Sequence, residues 1–335
     1  MKIIIQMWLN RSLMFFLLCL TSSNHIYSQK LIEVQKISNS DYSHNAFSSF
    51  IFYKGVYYCA YRGAKEHHTY DGVIVLMMSK DKKQWNKIRE FEIKGQDLRD
   101  PKLKISGDGR LAIFAVSRFL DKKGVSKHLS YVWTSMNGEK WSEPFTDFKN
   151  TWRWDVVKGE DLMYSVAYSG VDKKGTLYKT KNLKDWSVYV DEFFPYDNTR
   201  PNETALFMRE DKVMVAVVRQ DKGSKKTLVG ISDFPYKRWT WSFINENIAG
   251  PGGVLINDNK LLLCGRVRKK QLRTVLYEVT LFPFSYKELL VLPSRSDTGY
   301  CSVYRDPSDS HIYYISYHST SFMKNTDVYL AKIYY

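Results

Sequence analysis

Short apolar runs broken by polar turns recur along the whole chain. Pro201-Asn202-Glu203-Thr204-Ala205-Leu206-Phe207, then Asp211-Lys212, then Val213-Met214-Val215-Ala216-Val217-Val218-Arg219 shows the unit. It reads as two β-strands joined by a turn, with a charged residue at each outer end. Antiparallel strands bring the chain back to the face it left, so Glu203 and Arg219 are expected side by side. The unit recurs as Asn45 to Arg62, Asp100 to Arg118, Asp155 to Tyr168, Asn202 to Arg219, Pro251 to Arg266 and Tyr300 to His318, with openings 47 to 55 residues apart. The turns carry the chemistry that reversing a chain requires, as in Lys54-Gly55, Gly107-Asp108-Gly109 and Asn257-Asp258-Asn259.

A second pattern, Ser/Thr-x-Asp/Asn-x-x-x-Trp, alternates with the first. It appears at Ser79, Asp81 and Trp85, at Ser135, Asn137 and Trp141, and at Thr180, Asn182 and Trp186; Ser232, Asp233 and Trp239 repeat it with one extra residue. The Asp or Asn caps its own turn and the Trp pins that turn to the sheet. The motif looks like a degenerate form of the Asp-box turn of sialidase-like propellers, which implies a structural role on the face away from any site. A period near 50 residues with four short strands predicts an all-β fold, a six-bladed β-propeller of four-stranded antiparallel blades. Leu31 to Ile37 should close the ring beside Asp327 to Ile333, leaving no open edge. Residues 29–335 then form one domain.

Residues 1–28 read as a Sec-type signal peptide. Lys2 and Arg11 precede the apolar run from Leu13 to Leu20, and Ser28 is the expected cleavage point. That run is too short for a membrane span, so a secreted or periplasmic protein is expected. The composition, 44% hydrophobic and 15% aromatic, excludes disorder. The net charge of +15 becomes +13 once Lys2 and Arg11 are removed, and it is spread over turns such as Asp121-Lys122-Lys123 and Asp172-Lys173-Lys174. A diffuse positive surface of this kind favours solubility and suits an acidic glycan; with no binding motif, nucleic acid is excluded as a partner. Cys59, Cys264 and Cys301 form no regular framework and read as buried thiols, with Cys264 and Cys301 the one pair open to a disulfide. His67-His68 has no third ligand at metal spacing and reads as a solvated loop. No cofactor and no metal are expected, and the chain is read as a monomer.

The hairpin geometry gathers one face. His44, Arg62, Arg99, Asp100, Arg118, Trp154, Asp155, Asn202, Glu203, Arg219, Arg266, Asp297, Tyr300, Tyr317 and His318 should ring a central funnel. Four of the six second strands end in Arg, more than a solvated rim requires, so a pocket is placed on this face.

Here the resemblance becomes specific. Asn202-Glu203-Thr204-Ala205-Leu206 through Arg219 is similar to the sialidase blade that supplies a Glu and, one hairpin later, an Arg. Gly265-Arg266 and Thr298-Gly299-Tyr300-Cys301-Ser302 resemble the segments carrying a second Arg and a Tyr in the same order. The likeness spans the mature chain at the level of blades. It implies an exo-glycosidase that cleaves a terminal acidic sugar with retention. Tyr300 would be the nucleophile, Glu203 its base, and Asp71 the acid, with Asp100 as substitute. Arg219 and Arg266 would hold the substrate carboxylate. One departure is plain: His44-Asn45-Ala46 stands where sialidases carry Arg-Ile-Pro. Arg62 or Arg118 would then complete the clamp, or His44 would take a different polar group. Two alternatives stay open: a glycan-binding propeller without turnover, and a sialidase-fold hydrolase or lyase retuned to another sugar.

Overall fold

A computed structural model describes residues 29–147, 149–168, 175–195, 199–320 and 325–335. The signal segment and the Asp172-Lys173-Lys174 turn lie outside these residues. The secondary structure of the described chain is β throughout, and no helix is long and apolar enough to cross a membrane.

The strands follow the chain in groups of four. β1 (Lys30–Lys36) stands first. Then come β2 (His44–Tyr53), β3 (Val56–Ala64), β4 (Val73–Ser79) and β5 (Asn86–Phe91). The next group is β6 (Asp97–Ile105), β7 (Leu111–Leu120), β8 (Ser126–Ser135) and β9 (Phe145–Thr146). β10 (Trp152–Lys158), β11 (Met163–Tyr168), β12 (Thr176–Thr180) and β13 (Ser187–Val190) follow. After them are β14 (Pro201–Met208), β15 (Met214–Gln220), β16 (Thr227–Ser232) and β17 (Thr240–Ile244), then β18 (Ala249–Asn257), β19 (Lys260–Arg268), β20 (Leu272–Thr280) and β21 (Ser285–Val291). β22 (Thr298–Arg305), β23 (Ile312–Thr320) and β24 (Thr326–Tyr334) end the chain.

Four antiparallel four-stranded blades, β6 to β9, β10 to β13, β14 to β17 and β18 to β21, stand as separate sheets. The other eight strands share one sheet in which β22-β23-β24, edged by β1, meets β2 to β5 through a single parallel pairing of His44 with Thr326. The first strands touch in succession, β2 to β6, β10, β14, β18 and β22, and β22 returns to β2. They therefore surround one axis, as in a propeller. β1 closes onto β24 with Leu31 opposite Ile333, where the sequence placed the closing strand.

Hydrophobic clusters fill the spaces between successive blades. Tyr58, Ile74 and Leu76 pack against Leu103, Ile113 and Trp133, for example, and Val215 and Val217 against Leu261 and Leu263. Strands buried on both faces explain why the apolar runs are nearly continuous rather than alternating. The Ser/Thr-x-Asp/Asn turns lie between third and fourth strands. Asp81 accepts the N–H groups of Lys83 and Gln84, and Asn137 and Asn182 repeat this geometry. Each Trp indole donates to a carbonyl three residues back, at Lys82, Gly138, Leu183 and Tyr236, and those four residues share a positive φ of 60° to 78°.

The strands begin one to three residues earlier than the pattern implied, because each inner strand carries a β-bulge near its start. Register shifts occur at Ala46/Ser49, Arg99/Lys102, Arg153/Asp155, Pro201/Thr204, Ala249/Gly252 and Gly299/Ser302. The residues left out of the pairing are Phe47-Ser48, Asp100-Pro101, Trp154, Asn202-Glu203, Gly250-Pro251 and Tyr300-Cys301. A bulge re-aims the side chain it carries, and here all of them sit at the same end of the axis. A further correction concerns cysteine. Cys264 and Cys301 are joined in a disulfide between β19 and β22, and among the described residues Cys59 alone is a buried thiol as expected.

Candidate active site

Tyr300 is held in the left-handed region (φ 52°), which a bulky residue adopts at a cost of order 1–3 kcal/mol. Two close approaches fix it. A Cβ on Gly250 would lie 2.5 Å from Tyr300 Cγ, and a Cβ on Gly299 2.5 Å from Arg266 Cβ, so both glycines are required where they stand. The phenol donates to Glu203 Oε1 at 2.7 Å, and Arg219 Nη1 donates to the same oxygen at 2.8 Å. Glu203 Oε2 accepts the Gly250 N–H at 2.6 Å, and Arg266 Nη2 lies 3.4 Å from the Tyr300 hydroxyl. Arg219 also pairs through Nε with Asp221 at 2.8 Å. Glu203, Arg219, Arg266 and Tyr300, which the sequence grouped from four different strands, therefore meet.

The electrostatics separate these groups. Burial, reinforced by the negative charge of Glu203, holds the Tyr300 phenol neutral and far above its ordinary value. Burial raises Glu203 as well, but the charge of Arg219 and the hydrogen bonds from Arg219, Gly250 and Tyr300 outweigh it, and the carboxyl stays below its ordinary value. Asp100, at the equivalent bulge of β6 (φ 48°), is pushed by burial up to about 6, and the charge of Glu203 adds to the rise. Among the described residues its Oδ1 is buried with no hydrogen-bond partner. Phe47 and Trp154 pack edge-on against the Tyr300 ring, with centroids 4.8 Å and 5.6 Å away, and form the apolar wall.

Asp71 is placed differently. It is exposed, and its Oδ2 accepts the N–H of Lys65, closing its own loop. Arg62 and Arg118 also turn away from the role expected of them. Arg62 is fully buried; its Nε donates to Asp97 Oδ1 at 2.7 Å and its other N–H groups reach the carbonyls of Glu66 and Thr69. Arg118 lies 3.3 Å from Asp97 Oδ2 and donates to the carbonyls of His68 and Thr69. Arg99 joins them, 3.0 Å from Asp97 Oδ2, with a bond to the His67 carbonyl. Three arginines on one buried carboxylate thus pin the loop from Glu66 to Thr69. Asp97 was not foreseen. The signal was present, since Asp97 and Arg99 alternate onto one face of the same strand.

The pinned loop delivers His67, and the expectation of a solvated loop fails there. His67 Nδ1 lies 2.6 Å from Asp297 Oδ2, His44 Nε2 2.9 Å from the same oxygen, and His318 Nε2 3.3 Å from Asp297 Oδ1. Arg266 Nη1 is 3.3 Å from that second oxygen. The ligand atoms of His44, His67 and Asp297 lie within 4.8 Å of one another, the spacing of a metal cluster. The hydrogen bonds argue for a different chemistry. Arg62 Nη1, 3.3 Å from His44 Nδ1, can only donate, so the His44 proton sits on Nε2 and points at Asp297. The Phe47 N–H likewise donates to His318 Nδ1, leaving Nε2–H for Asp297. A metal at these nitrogens would need the opposite tautomers and would set N–H groups against each other. Burial lowers all three imidazoles, which keeps them neutral donors; it also raises Asp297, but the hydrogen bonds from His318, His44 and His67 prevail and hold that carboxyl well below its ordinary value.

No family profile and no curated protein matches the sequence. Solved structures do match. A Dyadobacter fermentans protein of unknown function superposes with a TM-score of 0.76 at 17% identity, over 92% of this chain and 100% of that one. The GH93 α-L-arabinofuranosidase of Fusarium graminearum, in complex with arabinobiose, gives 0.68 at 15% identity, over 90% and 97%. A Trypanosoma rangeli sialidase bound to the inhibitor DANA gives 0.61 at 12% identity, over 91% of this chain and 59% of that one. At such identities the likeness establishes the sialidase-like propeller fold.

Proposed function

We propose that the chain is an exported glycoside hydrolase that cleaves a terminal sugar with retention of configuration. The observation that carries this reading is the meeting of Tyr300, Glu203 and Arg219 within hydrogen-bond reach, beside a protonatable Asp100. In the first step the Tyr300 oxygen attacks the anomeric carbon and passes its proton to Glu203, while Asp100 protonates the departing glycosidic oxygen. In the second step Asp100 takes a proton from water, the water oxygen attacks the same carbon, and Glu203 returns its proton to the released phenolate. Arg219 and Arg266 steady the charge that develops on the phenol oxygen. Asp100 is preferred to Asp71 as the acid because it is buried, feels the Glu203 charge and is about half protonated at pH 6, whereas Asp71 is exposed and engaged with its own loop.

Several features support the rest of the reading. The arabinofuranosidase and sialidase neighbours both act on carbohydrate. Counting the eight-stranded sheet as two blades, one on each side of its single parallel pairing, makes six. A disulfide between neighbouring blades suits an oxidising compartment, in keeping with removal of residues 1–28 on export. The test is turnover of a panel of fluorogenic glycosides by the purified protein beside Tyr300→Phe and Glu203→Gln. Both variants are expected to lose at least about a thousandfold in kcat/KM. Sugar binding without turnover in the unaltered protein would instead favour a glycan-binding propeller.

A further inference from the structure

The arginines expected to grip a substrate carboxylate already hold carboxylates of the protein itself. Arg62, Arg99 and Arg118 share Asp97 and spend their remaining donors on the loop carbonyls. Arg219 sits between Glu203 and Asp221. Arg266 reaches from the Tyr300 hydroxyl to Asp297, whose two oxygens also take His44, His67 and His318. Lys102, its ammonium 4.5 Å from the Trp154 ring centre, feels the charge of Asp155 first and of Asp100 second.

We propose that the pocket selects an uncharged sugar at the reacting position, with Asp297 supplying from within the protein the carboxylate that an acidic sugar would otherwise bring to Arg266. The inference rests on the reading of the funnel as a glycosidase site and names its substrate class. An acidic sugar would have to displace Asp297 from four donors or place a second anion beside it; either loses the pairing that makes a buried charge tolerable. A neutral polyol meets no such penalty. With Nδ1–H committed to Asp297, His67 presents Nε2 as an acceptor for a hydroxyl group. Asp297, 22% exposed at its side chain, offers further acceptor capacity.

The test has two arms. In the first, acetate serves as the smallest carboxylate and is titrated against chloride at equal ionic strength, read by tryptophan fluorescence and melting temperature. The unaltered protein should show no saturable acetate response. Asp297→Ala should gain a site with Kd of about 1 mM, which the added Arg266→Met change removes. A saturable site in the unaltered protein that Arg266→Met abolishes would overturn the proposal, and that measurement does not depend on whether Asp297→Ala folds. In the second arm the protein is offered uncharged furanosides and pyranosides beside a sialoside and a glucuronide. Turnover should favour uncharged sugars by at least about a hundredfold; equal or better turnover of an acidic sugar would sink the proposal. If no glycoside is cleaved, the glycosidase reading fails on its own, while the acetate arm still decides whether Arg266 is open to a carboxylate.

Discussion

Asp100 shows how one residue is set against the stability of its own fold. Burial lifts its carboxyl from an ordinary 3.8 to about 6. Its folded pKa therefore lies above the unfolded one, and the folded chain keeps a proton that the unfolded chain has already released between those two values. Stability accordingly falls as pH rises through that window, and the ionised group costs about 3 kcal/mol at pH 7. Asp100→Asn removes the charge, so unfolding by denaturant at pH 7 should show a more stable protein, by up to about 3 kcal/mol, with the difference vanishing below about pH 4. The same change should cost about a hundred- to ten-thousandfold in kcat/KM and erase the fall in rate above about pH 6. A variant more stable and less active at once is what a charge kept for chemistry produces. A purely structural aspartate would not give the alkaline loss of rate.

The Cys264–Cys301 bridge works at the level of elements. It ties β19 to β22 between a residue two before Arg266 and the residue after Tyr300, across a sequence separation of 37. Closing such a loop constrains the unfolded chain by about 3–4 kcal/mol. The double change Cys264→Ser with Cys301→Ser should lower unfolding stability by about that amount and reduce kcat, because Tyr300 and Arg266 lose their common tether; calorimetry and initial rates check the two effects. Hairpins, turns and the closing strand were legible in the sequence because apolar runs and turn residues report local structure directly. The bulges were not, because a bulge is set by how two strands pair. A local trace of them exists in Pro101 and Pro251, which lack an N–H and lie inside strands only where the ladder is broken. The grouping of Glu203, Arg219, Arg266 and Tyr300 followed from strand ends sharing a face. The loss of Arg62 and Arg118 to Asp97, and the capture of His67 by Asp297, depended on a loop path that hydrophobic pattern does not encode.

At the scale of the whole molecule the ring is held shut by β1, which occupies the free edge of β24 and adds Leu31 and Val34 to the cluster around Tyr313 and Ile333. Deleting residues 30–36 uncovers that edge and removes the two side chains from their packing. The truncated protein should lose about 2 kcal/mol of stability and associate in a concentration-dependent way, measurable by calorimetry and light scattering. Above this closure lies a division of labour that reaches beyond one reaction. The ladder of each inner strand continues past its bulge, while the bulged residues stand outside it and gather at one end of the axis. Exchanging Asp100 or Tyr300 changes the groups that meet there and leaves the ladder pairing of the inner strands in place. The frame is a chassis with interchangeable fittings, and new specificities can arise on it one fitting at a time, without the fold having to be found again.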